Sequence, residues 1–246
     1  MGIPRLGPGP AAIVVALPRE AAPLARNLGL LKQGRHGGVT RYRGWGDRLL
    51  LLQGGMGASG AARAMAFLEE PALLLSAGFC RGMGPEVGLG DLVVGSRVMK
   101  NTGAFPADPI LLDAATRALK TIGLPFHAGT ILTVDQVVLP GHGAHGWADR
   151  GILAVDMESA YLAEAARRQG VPFLGIRVVS DSPAKPWAAK GRLFLGPDGR
   201  LKPGAAGAYL LRHPIWTARM LRLVPTLRMA TRRLAEGIQA FLKELI

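Results

Sequence analysis

The 246-residue chain is 49% hydrophobic, with 34 glycines, 18 prolines and 6% aromatic residues; that composition excludes a disordered chain and suits one α/β enzyme domain with a real core. The formal net charge of +13 is the outlier, and it points to an anionic contact (nucleic acid, phosphate or a lipid surface) unless it only keeps the protein in solution. Cys80 is alone, so no intramolecular disulfide forms and a reducing compartment fits; no signal peptide or membrane-length apolar run is visible, so a cytoplasmic location is expected, with peripheral membrane contact open.

The run Ala11 to Leu17, AAIVVAL, predicts a strand buried on both faces. Pro18, Arg19 and Glu20 are expected to turn the chain into a short helix over Ala21 to Leu28. Glu20 then lies just past a strand's carboxyl end, where a first-turn Glu on the helix dipole is the plain reading. Val39 to Trp45 and Arg48 to Leu52 read as two strands joined at Gly46-Asp47. Gly55, Gly57 and Gly60 satisfy G-x-G-x-x-G before a helix reaching about Glu70. The next strand, Ala72 to Ser76, ends without an acidic residue for a ribose diol. A glycine turn with close helix–strand packing and exposed amides therefore reads better than a dinucleotide site.

A Gly-rich loop follows, then a tight turn at Gly88, Gly90 and Asp91 and a strand from Leu92. Asp108 and Pro109 supply the cap and first position of a helix ending at Ile122. Phe126 to Val134 predicts another strand. His142 and His145 stand three apart in a Gly-rich loop, but no nearby residue completes a ligand set, so no metal is expected.

The stretch Val155 to Asp181 carries the most chemistry. Asp156 and Glu158 sit where a helix begins, and Arg167 and Arg168 suit its last turn. Gly170 and Pro172 end it. A short buried strand then leads to Ser180 and Asp181 at its carboxyl end, the edge where open α/β sheets bind ligands. Carboxylates brought to such a crevice need a reason, because their burial is costly.

Beyond Asp181 a Pro- and Gly-rich connection carries a possible hairpin across Pro197-Asp198-Gly199. Ala205 to Ile246 is mostly helical, with breaks expected near Pro214 and Pro225. In residues 209–223, Arg212, Arg219 and Arg222 interleave with Leu210, Leu211, Ile215 and Trp216. Such a segment can lie on an anionic membrane or pack its apolar side on its own sheet; Thr226 to Ile246 is expected to do the latter. No internal repeat or domain boundary is seen, giving one domain over 1–246 with a basic amphipathic helical extension over 204–246.

Taken together, these motifs resemble the nucleoside phosphorylase and nucleosidase family that includes the methylthioadenosine/adenosylhomocysteine nucleosidases. The similarity runs in order through Ile13 to Ala21, Leu52 to Gly60, Ser76 to Gly95, Thr133 to Leu139, and Val155-Asp-Met-Glu-Ser-Ala with Arg177-Val-Val-Ser-Asp. The last pair is the most specific. The Pro-rich connection and basic Leu-rich helices are most similar in texture to the hopanoid-associated phosphorylases, a branch assigned the removal of adenine from adenosylhopane, a lipid intermediate.

The resemblance implies a three-layer αβα fold with a central mixed sheet, homo-oligomers, and no cofactor, with phosphate a co-substrate only in a phosphorylase. It implies cleavage of a purine N-glycosidic bond in a small-molecule or lipid-linked nucleoside, with no nucleic acid as partner. Asp181 takes the role of the acid that protonates N7, and Glu158 that of the ribose-diol acceptor. Met157 would pack beneath the ribose. Glu20 would position the water, with Arg177 near that water and the acid. Gly78 and Phe79 would border the sugar and nucleophile, Val137 and Val138 the base, with Ser180 beside Asp181 in the substrate-binding set. A carboxyl in an apolar crevice can have its pKa raised enough to serve as the acid.

Two departures matter. Family phosphorylases hold phosphate with a Ser and an earlier Arg, and the matching positions are Phe79 and Ser76. Arg19 and Arg81 are the available substitutes, and with Glu20 present hydrolysis is expected over phosphorolysis. Val137 stands where nucleosidases carry an aromatic over the base, which suits a substrate held by a large apolar 5′ group. A basic binding protein with a dead site is the rival from another class, and the intact set of Glu20, Glu158 and Asp181 argues against it.

Overall fold

The computed structural model describes residues 8–100, 103–136, 146–181 and 214–245, with side chains in the last segment from Val224 onward. Its elements in order are β1 (Ala11–Val15), α1 (Pro18–Asn27), β2 (Leu31–His36), β3 (Val39–Gly44), β4 (Leu49–Gln53), α2 (Gly57–Met65), β5 (Leu73–Gly82), β6 (Leu92–Lys100), β7 (Gly103–Pro106), α3 (Pro109–Thr121), β8 (Phe126–Thr133), β9 (Ile152–Asp156), α4 (Ser159–Gln169), β10 (Phe173–Asp181) and α5 (Pro214–Leu245).

Successive side chains of a strand point to opposite faces, and here both faces are apolar. Ile13, Leu51, Leu75 and Ile176 face a core built with α1, α3 and α5. Val14, Leu52, Leu74 and Val179 face a second core built with α2 and α4. The result is the three-layer αβα arrangement. The sheet is mixed: β1 pairs in parallel with β4 and β5, and β10 with β5, while β6 runs antiparallel to β10. Strand β5 also pairs with β9, β9 with β8, and β8 with β6. Strands β5, β10, β6, β8 and β9 therefore close into a ring, and β1, β4, β3 and β2 extend from it as an open wing.

Several expectations change. Residues 18–20 are the first turn of α1, not a turn before it, because Pro18 at N1 needs no amide partner. Helix α2 ends at Met65 rather than near Glu70. Strand β5 continues through Gly82, so Gly78 and Phe79 lie on a strand and not in a loop. Strand β10 pairs with it from Leu74 to Arg81, and β9 takes over from β1 as its other partner at Arg81 and Gly82. Asp156 closes strand β9 instead of opening a helix. Strands β2 and β7 carry no apolar alternation that the sequence could announce.

Helix α5 is one helix of 32 residues. Pro214 starts it, and Pro225 sits within it on an exposed turn, where water can take the carbonyl that proline leaves unbonded. Its second half packs as expected: Leu234, Ile238, Phe241 and Leu242 are buried. Gly237 lets the helix approach closely, since a Cβ there would stand 2.7 Å from Leu92 and 2.9 Å from Leu119. The hairpin near Pro197, the histidines at 142 and 145, and residues 209–213 lie outside the described residues.

Candidate active site

The first site element comes from the end of β1. Glu20 stands at N3 of α1, and its side chain turns back to accept from the amides of Ala16 (3.0 Å) and Leu17 (2.7 Å) through Oε2. That is one half of a capping box. Its Oε1 accepts from the Phe79 amide on β5 at 2.8 Å. Glu20 is only 2% exposed. Burial pushes its pKa up, with the three amides and Arg177 pulling against that. The two oxygens of one carboxylate thus tie the start of α1 to strand β5.

Arg177 lies between Ile176 and Val178, whose side chains face the α1–α3–α5 core. The alternation turns Arg177 to the α4 side. There Nη2 meets Asp156 Oδ2 at 2.7 Å and donates to Ser76 Oγ at 2.6 Å and to Ser159 Oγ at 2.8 Å. Glu158 Oε2 is 3.8 Å from Nη1. Burial opposes the guanidinium charge, but Asp156, Glu158 and Glu20 outweigh it and its pKa is raised. Asp156 also accepts from Thr133 Oγ1 (2.6 Å) and the Ser159 amide (3.2 Å), so its carboxylate is spent on fixing β9, α4 and Arg177 together.

Gly78 is the hinge between these groups. Its φ is +149°, and a Cβ there would stand 2.7 Å from Arg177 Nη1 and 2.8 Å from Glu20 Oε1. Only a glycine lets the carboxylate and the guanidinium approach the same stretch of backbone.

Glu158 precedes α4 and reaches across to the first turn of α2, accepting from the Gly57 amide at 2.8 Å. Burial raises its pKa to about 7, with Arg177 opposing and Asp156 adding to the rise. The glycine segment is thus a packing device with a usable amide. Gly60 approaches Gly55 so closely that a Cβ would sit 2.0 Å from the Gly55 carbonyl oxygen.

Asp181 ends β10 and is 3% exposed. It does not occupy an apolar crevice: Arg81 Nη1 stands 3.5 Å from its Oδ2. Arg81 is therefore placed against the Asp181 carboxylate. Ser180 donates to the Cys80 carbonyl at 3.3 Å. Met157 and Phe79 are half-buried.

Glu20, Gly78, Phe79, Arg177 and Glu158 are joined through these contacts, while Asp181 lies four residues beyond Arg177 at the end of β10 and meets Arg81. Val137 and Val138 lie outside the described residues. Sequence reasoning missed the Asp156–Arg177 pair with Ser76, Ser159 and Thr133, and missed Arg81 beside Asp181. The available signal was polar residues (Ser76, Arg177) inside otherwise apolar strand runs. Among the described residues no group of three or more His, Cys, Asp or Glu could hold a metal.

A model of the phosphorylase superfamily matches residues 10–194. The 5′-methylthioadenosine/S-adenosylhomocysteine nucleosidase of Chromohalobacter salexigens is 28% identical over 199 residues, covering 71% of this chain and 85% of the relative. That of Baumannia cicadellinicola is 26% identical over 193 residues, covering 69% and 84%. The crystal structure of the nucleosidase from Neisseria meningitidis in complex with methylthio-immucillin-A superposes with a TM-score of 0.72 at 22% identity, over 95% of this chain and 98% of that one. Futalosine hydrolase of Helicobacter pylori does so with a TM-score of 0.72 at 14% identity, over 96% and 98%.

Proposed function

The chain belongs to the phosphorylase superfamily, and from that premise we propose that it hydrolyses the N-glycosidic bond of a 5′-substituted adenosine, releasing adenine. The observation that carries this reading is Glu20: a carboxylate held by three backbone amides, with a raised pKa. A fixed carboxylate of that kind can orient a water and take its proton. The relatives named as adenosine-type nucleosidases support the substrate class.

In this reading the purine leaves with the glycosidic electron pair as Asp181 gives a proton to N7. The sugar passes through an oxocarbenium-like state. Glu158 accepts from the ribose diol, in bonds that strengthen as charge grows on the sugar. Met157 packs beneath the ribose, and Phe79 and Gly78 border it, with Ser180, Val137 and Val138 toward the base. The water oxygen then bonds to C1′ while its proton passes to Glu20. Arg177 holds Glu158 and Glu20 in register from one side. Water is favoured over phosphate because Phe79 offers no side-chain donor and Ser76 is engaged with Arg177 and Ser159.

The finer proposal is a large apolar 5′ group, as in the conversion of adenosylhopane to ribosylhopane and adenine, by a homo-oligomer that meets an anionic membrane through residues 209–223. Adenine release in phosphate-free buffer tests the reaction, using methylthioadenosine and a long-chain 5′-alkyl adenosine side by side. Strict phosphate dependence would make the protein a phosphorylase, and preference for the short substrate would remove the lipid assignment. Asp181→Asn should lower kcat by about 10²–10⁴-fold while the protein stays folded.

A further inference from the structure

Arg81 has no role in the scheme above, yet it sits beside the residue assigned as the acid. It is the next-to-last residue of β5, paired in register with Asp181 on β10 and with Val155 on β9. It is 8% exposed. A guanidinium brought that far from water is costly unless a counter-charge meets it. One counter-charge it meets is Asp181, whose Oδ2 stands 3.5 Å from Nη1.

Among the described residues, other charged or titratable groups lie on the elements next to Asp181. From β5 comes the Cys80 thiol, which burial keeps protonated. From its own strand comes Arg177, already engaged with Asp156 and Glu158. Asp91 meets β10 through its carbonyl, which accepts from the Val179 amide, and its carboxylate is directed to the Gly88 amide, His127 and Arg233. Arg81 is a cation whose Nη1 stands directly against Asp181 Oδ2.

We propose that Arg81 is a positioning residue for Asp181, holding its carboxyl at the strand end and taking up the negative charge left when the proton passes to the purine. This rests on the hydrolase reading. As the C1′–N9 bond breaks, its electron pair leaves with the base, and the proton moves from Asp181 to N7. The remaining carboxylate lies against a guanidinium. Arg81 thus favours the proton's departure, and in exchange it lowers the fraction of enzyme carrying that proton. The ends of β5 and β10 are bridged by the same pair, so a group that tunes the acid also fixes its position.

The test is Arg81→Met, with Arg81→Lys as the conservative variant and Asp181→Asn as the control that marks the Asp181 signal. Carboxyl carbon-13 titration of the substrate-free protein should show the Asp181 midpoint moving up by about 1–3 pH units in Arg81→Met relative to wild type. Arg81→Lys should restore most of the difference. The limb of the kcat–pH profile that reports loss of the acid proton should move the same way. Should Met not be tolerated at that buried place, Arg81→Gln removes the charge while keeping a donor and carries the same expectation. Coincident Asp181 titrations in wild type and the neutral variants would overturn the proposal. The titration needs no turnover, so a protein that failed to release adenine would sink the hydrolase reading without deciding this one.

Discussion

Glu20 and Glu158 are both carboxyls whose burial favours the protonated form, and they are anchored differently. Glu20 has three amides; Glu158 has the Gly57 amide and a more distant arginine. Burial raises the pKa of Glu158 to about 7. A carboxyl whose folded pKa lies above its unfolded value contributes stability at low pH that is lost as pH rises through the folded value. Glu158→Gln cannot titrate. Its unfolding free energy relative to wild type should rise by about 1–3 kcal/mol between pH 5 and pH 8. Urea unfolding at the two pH values measures it, and a pH-independent difference would reject the assignment. Over the same range, substrate affinity should improve with pH, because the ionised form accepts from a diol. At this scale the sequence reveals Glu20, Glu158, Arg177 and Asp181 through their motifs. It hides what Asp156, Ser76, Thr133 and Arg81 meet, because each finds its partner on another strand, and strand neighbours are set by topology.

Element by element, the sequence is readable where a local rule decides and misleading where a tertiary partner does. Asp108 caps α3 by accepting from the amides of Ile110 (3.0 Å) and Leu111 (3.1 Å), and Gly170 ends α4 with a φ of 66°. Both follow from residue type. Strand β5 outlasts its apolar run because β9 and β10 take the hydrogen bonds of a Gly-rich stretch that would otherwise read as loop. Helix α5 passes through Pro225 because its later turns are buried against α1, α3 and β10, and that burial outweighs one missing amide bond. The energetic weight of α5 is testable at Phe241, which is fully buried. Phe241→Ala should cost about 3–5 kcal/mol in chemical denaturation.

For the molecule as a whole, the α/β alternation and the three layers are legible from the apolar strand runs and the amphipathic helices between them. The closing of five strands into a ring is not, since nothing in a strand's own sequence says that it will pair on both sides with segments far along the chain. Charge is also a property of this scale. Between Pro214 and Ala235 the chain carries Arg219, Arg222, Arg228, Arg232 and Arg233 and no acidic residue, and no described helix is long and apolar enough to cross a membrane. The proposed surface contact predicts binding to anionic but not neutral liposomes, falling as salt rises from low ionic strength. Binding unchanged after deletion of residues 209–223 would reject it. The packing of α5 has one more consequence, and it concerns order in time. Every carboxylate of the site lies at or before Asp181, but the core beneath β1, β5 and β10 is completed by residues 230–245. A chain emerging from the ribosome N-terminus first presents these carboxylates before the helix that covers that core has been made. Until α5 arrives, one apolar face of the sheet is open, and ribosome-bound intermediates halted before residue 230 should be the protease-sensitive, chaperone-bound species in its biogenesis.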